Sequence, residues 1–148
     1  MARGDSRGPD IVSEDQGETR KDYAGHVLKV ALASNTFAAS AAFVSLSQFT
    51  EVVGTGYTAG GEISNATWDR TNNVTDLNMA NVGWAQNAAG PTDIRTAVVY
   101  DDDASLAGSE DIITVIDLTT DGTTPVSLVA GALNINLSTN PVLKSTLT

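Results

Sequence analysis

The chain of 148 residues holds a single histidine, His26, and no cysteine, so the chemistry open to it is narrow. Without cysteine there is no disulfide framework, no thiolate metal site and no cysteine nucleophile. One histidine cannot build a multi-histidine zinc centre, and a Ser-His-Asp relay would need a serine and an aspartate to converge on it. No G-x-S-x-G elbow offers such a serine. His26 therefore reads as a histidine at a strand edge, and no catalytic residue is assigned. The densest carboxylate cluster is Asp101-Asp102-Asp103, with Glu110 and Asp111 close behind. Oxygen ligands of this kind suit hard cations, but consecutive aspartates do not follow the alternating D-x-D-x-D-G spacing of a calcium loop. In extended backbone Asp101 and Asp103 would share a side while Asp102 faces away, so those two are the pair that could hold a cation. The favoured reading is a solvated acidic strand end that blunts a sheet edge. No metal and no cofactor are assigned.

The segment Gly54-Thr55-Gly56-Tyr57-Thr58-Ala59-Gly60-Gly61 carries four glycines in eight residues. It fits G-x-G-x-x-A formally, yet a dinucleotide site needs a strand before it and a helix after it, and β-branched, turn-rich sequence follows instead. No lysine follows the glycines, so a phosphate-binding P-loop fails too. What remains is a backbone shaped for a tight turn or a close approach, which makes Tyr57 part of a fold corner or a subunit contact. Trp68 and Trp84 stand out because aromatics make up only 5% of the chain. Tryptophans in such a chain read as core or interface anchors; a sugar-stacking platform with Tyr57 is the alternative. The tripeptide Arg3-Gly4-Asp5 and the sequons at Asn65, Asn73 and Asn136 are short enough to arise by chance and are given no function.

The elements that must position these residues are strands. His26 to Ala33 alternates, with Leu28, Val30 and Leu32 on one face. Residues 36–53 read as a short helix or coil leading into the glycine-rich turn. Strands follow at Glu62 to Arg70, Val74 to Met79, Val82 to Ala85, Ile94 to Tyr100, Asp111 to Leu118 and Leu133 to Ser138, with turns at Asn72-Asn73 and Thr120-Asp121-Gly122. The last strand alternates cleanly and turns Asn134, Asn136 and Ser138 outward, toward solvent or another subunit. The pattern is that of an all-β domain, an antiparallel β-sandwich or barrel of about seven to eight short strands.

Net charge is -10 and unevenly spread. Residues 1–22 are nearly balanced and carry only Ile11 and Val12 as aliphatics, so this segment reads as an extended N-terminal arm ahead of a body at 23–148. Such an arm gains order by lying across a neighbouring subunit, anchored by Ile11 and Val12. The body sets only Lys29, Arg70, Arg95 and Lys144 against twelve acids. An anionic body repels phosphate backbones, so nucleic acid is not an expected partner. No apolar run reaches the ~20 residues needed to cross a bilayer, and no secretory signal opens the chain. Neither a membrane nor export by signal peptide is expected, and synthesis in the cytoplasm is.

The strand Leu28 to Leu32, the segment Val53 to Gly61, Trp84, and Arg95-Thr96-Ala97-Val98-Val99-Tyr100-Asp101-Asp102 together resemble small virion structural proteins of tailed bacteriophages. The resemblance covers residues 26–137 and is carried chiefly by the G-T-G-Y-T-A-G-G and R-T-A-V-V-Y-D-D segments. It implies an all-β particle component present in many copies and without catalysis. The expectation is a capsid decoration, or cement, protein on the outer head surface. Its partners would be the major capsid protein and further copies of itself, with a trimer at local threefold positions. Ile11, Val12, Tyr57, Trp68 and Trp84 are the candidate subunit contacts. A tail, collar or head-fibre component is the second expectation, and a carbohydrate-binding module a third from another class.

Overall fold

The β-branched run Thr96–Asp101 is buried along its whole length, which only a strand covered on both edges and both faces can be. The computed structural model describes residues 6–7, 25–37, 45–71, 74–102, 111–139 and 142–146. In chain order its strands are β1 (Ser6–Arg7), β2 (Leu28–Ala33), β3 (Glu62–Ile63), β4 (Ala66–Thr71), β5 (Val74–Met79), β6 (Val82–Trp84), β7 (Thr96–Asp101), β8 (Asp111–Asp117), β9 (Leu133–Ile135) and β10 (Leu143–Thr146). Among the described residues eight strands have three residues or more and none belongs to an α-helix, so the chain is all-β. Ile11 and Val12 lie outside the described residues.

Every strand pair is antiparallel. A five-stranded sheet runs β1-β8-β7-β2-β3, with β7 at its centre; a three-stranded sheet runs β10-β5-β4, and β6 pairs with β9. Alternation divides the large sheet into two packed faces. Leu28, Val30 and Leu32 of β2, Ala97 and Val99 of β7 and Ile113 of β8 meet Leu77 and Met79 of β5, Val82 and Trp84 of β6, and Leu133 and Ile135 of β9. This is the sandwich core. On the opposite face Ala31, Ala33, Val98, Tyr100, Ile112 and Val115 are covered by Leu46 and Phe49, with Phe37 packed alongside. A register shift between Val99 and Tyr100, where Thr114 and then Ile112 are the partners, lets Ile113 turn inward beside the bulge.

Leu46 and Phe49 reach that face from a 3-10 turn, Leu46–Gln48, whose N-terminus is closed by a capping box between Ser45 and Gln48. The Ser45 hydroxyl accepts from the Ser47 N–H at 3.3 Å, and the Gln48 side chain accepts from the Ser45 N–H at 3.0 Å. The single strand expected over Glu62 to Arg70 is broken at Ser64-Asn65. There the Ser64 hydroxyl donates to the Ala80 carbonyl at 2.6 Å, and the path swings from the large sheet into β4.

Candidate functional site

The glycine-rich segment is a detour in an edge strand. Glu51 bridges to Ala33, and Glu62 pairs with Val30, so two rungs three residues apart on β2 are eleven residues apart on the neighbouring chain. The excess forms the loop between them. On either side of it Val52 N–H donates to Leu32 O at 3.0 Å and Ser64 N–H to Leu28 O at 2.9 Å. Where the loop leaves, the Leu32 N–H has no strand opposite it; the Tyr57 hydroxyl fills that place, accepting at 3.1 Å. A side chain thus completes the ladder that backbone vacates.

Glu51 fastens the detour from beneath. Its Oε2 accepts from the Tyr57 hydroxyl at 2.6 Å and from the Gly60 N–H at 2.7 Å. The Tyr100 hydroxyl, rising from β7, donates to the Gly60 carbonyl at 2.8 Å. At the other side of the loop the Thr55 N–H donates to Ala89 O at 2.9 Å. Gly54 lies so close to Pro91 that an added Cβ would sit 2.6 Å from its nitrogen. The tyrosine ring turns inward, 6.2 Å from the Trp84 ring and tilted 43° to it. Burial, reinforced by the hydrogen bond to Glu51, pushes the Tyr57 phenol far above its ordinary value. The group is a neutral donor throughout the physiological range, a latch rather than an acid or base.

Two measurements follow. Tyr57→Phe strands the Leu32 N–H and one carboxylate lone pair in a half-buried place, and should cost about 1–3 kcal/mol in denaturant unfolding. Because the folded chain keeps this phenol protonated, the stabilisation is complete below about pH 10, the unfolded phenol's range, and falls as pH rises above it. An ultraviolet titration should show tyrosine ionisation that appears only when the fold is lost, and Tyr57→Phe should reduce it by one tyrosine.

The remaining singled-out residues fall in different places. Trp84 is 3% exposed and belongs to the sandwich core, as an anchor within the chain; Trp68 packs against that core from β4, partly buried. The structure brings Tyr57 and Trp84 together and leaves Trp68 apart from their ring contact. Asp101, only 3% exposed, holds Nδ1 of His26 at 2.5 Å, and Asp102 pairs with Lys29 at 2.5 Å. The acidic strand end is therefore internally paired at its first two positions; Asp103 lies outside the described residues. Among the described residues no group of three His, Asp or Glu side chains is placed to hold a metal ion, and no helix is long and apolar enough to cross a membrane.

Glu51 is the residue that sequence reading passed over. Its one signal is position: a lone acid directly before ten uncharged residues, Val52 to Gly61. Comparison with protein-family models, with curated proteins and with solved structures finds no match to this chain.

Proposed function

We propose that the chain is a structural component of a phage particle, most specifically a decoration protein that binds the outer head surface in many copies. One observation carries the reading. The two segments behind the resemblance form a single unit: the R-T-A-V-V-Y-D-D segment contains β7, whose Tyr100 hydroxyl bonds the Gly60 carbonyl of the glycine-rich loop. Glu51 and Tyr57 fasten the same loop to β2, so the shared residues spend their chemistry on a rigid shape. The acidic body favours the outside of a head over its DNA-facing interior.

Copies per virion test this. Quantitative mass spectrometry of purified particles should give hundreds of copies, in fixed ratio to the major capsid protein, and purified chain should rebind heads stripped of it. A handful of copies per particle would move the protein to the tail, collar or head fibres; absence from particles would end the reading. Of the three aromatics the carbohydrate alternative invokes, Trp84 is buried, while Trp68 and Tyr57 are half-buried.

A further inference from the structure

Four long runs of this chain carry no charge: 30–50, 52–61, 77–92 and 122–143. The last three are far apart in sequence, and the fold ties them together at one end of the sandwich. Thr55 N–H bonds Ala89 O, Asn87 N–H bonds Leu128 O, and Leu128 N–H bonds Pro91 O, at 2.9, 3.0 and 2.9 Å. The Gln86 amide donates to Val129 O at 2.9 Å, and β6 pairs with β9 directly behind. The surface these loops share includes Val53, the most exposed large apolar side chain described, at 91%, and Val129 at 40%. Ala88, Ala89 and Ala130 stand exposed around them. At its border two carboxylates line the hollow beside Val53: Asp93, paired with Arg95 at 2.9 Å, and Glu51, held by Tyr57 and the Gly60 N–H.

From this we infer that the charge-free end is a self-association face, by which copies of this chain bind one another. The argument for a second copy as occupant is electrostatic. Two chains of net charge -10 repel, and other surfaces meet acid with acid: Asp69 lies opposite Asp76 across β4 and β5, and Glu62 is exposed on β3. Arg95, the cation at this end, is already engaged within the chain by Asp93. The charge-free end lets two copies close without opposing like charges, and depletion of charged residues marks the centre of an interface. The face names the copy-to-copy surface of the particle component proposed above and rests on that reading for its multiplicity; its test needs no particle.

The purified full chain, measured by light scattering across micromolar concentrations, should have a mass that is a whole multiple of 15.3 kDa. Added salt should hold or strengthen that association, because it screens the repulsion between bodies. The double variant Val53→Asp with Val129→Asp should fall to the single-chain mass while its circular dichroism stays that of the unsubstituted chain. Ala88→Glu should weaken association by a third side chain on the same surface. Thr67→Asp, exposed on β4, adds the same charge elsewhere and should leave the multiple intact. A single-chain mass for the unsubstituted protein at every concentration overturns the inference. So does a double variant that keeps its multiple, or a Thr67→Asp chain that dissociates equally. Low copies per virion would instead remove the particle reading and leave this face standing.

Discussion

Gly61→Ala is expected to be among the most damaging single substitutions in the chain. A Cβ at this position would lie 1.9 Å from the Val30 carbonyl oxygen and 2.5 Å from its carbon, and both are backbone of the strand that β3 pairs with. No side-chain rotation relieves that clash; β2 or the loop must move. The residue also sits at φ +74°, a conformation that costs a non-glycine residue about 1–3 kcal/mol by itself. Together the two effects should exceed about 3 kcal/mol, a large part of the 5–15 kcal/mol typical of a domain. The measurement is the urea midpoint, with the slope checked for a changed unfolded state. Gly60→Ala separates the two contributions. It has φ +87° but meets nothing nearer than the Tyr100 hydroxyl at 3.4 Å, so it should lose only the conformational share. Gly131→Ala, with nothing within 4 Å, should be close to neutral.

Trp84→Ala should cost about 3–5 kcal/mol, the range for emptying a buried aromatic site. The indole is 3% exposed, backs onto the Tyr57 ring and shares the three-residue strand β6 with Val82 as its core residues. Trp84→Phe should be far milder than volume alone implies. The indole Nε1 is buried with no hydrogen-bond partner in the chain, and an unmet donor of that kind costs about 1–3 kcal/mol. Phenylalanine deletes that donor along with part of the ring, so the two changes offset. Trp68 remains as the fluorescent reporter in both variants. A Trp84→Phe chain as unstable as Trp84→Ala would show that the indole nitrogen is satisfied in solution.

Strands with strong alternation or a dense β-branched run were legible from sequence: β2, β5, β7, β8 and β9 all lie where their side chains predict. Others depend on partners the sequence does not display. Ser6–Arg7 sits between Gly4 and Gly8-Pro9 with no apolar pattern, and becomes β1 only because β8 offers a ladder. Leu143–Thr146 becomes β10 against β5 in the same way. The core role of Trp84 was one of two readings open for it, and only packing chose between them. The His26–Asp101 pair spans 75 residues, and local spacing carries no trace of it. Glu51 and Tyr57 are six residues apart, but their meeting depends on the chain doubling back along β2. The glycines announced a shaped loop; which groups hold the shape was a matter of tertiary geometry.

β1 has a significance out of proportion to its length. Its two residues cover Ile116 and Val115 on β8, the strand richest in consecutive β-branched residues, Ile112 to Ile116. A row of open N–H and C=O groups on such a strand is a template for pairing with any other extended chain. Loss of the first seven residues to a protease would leave the core and the latched loop in place and still bare that template. A trimmed preparation should then lose solubility on storage before it loses its fold, so an intact N-terminus is the first thing to verify in any batch that precipitates.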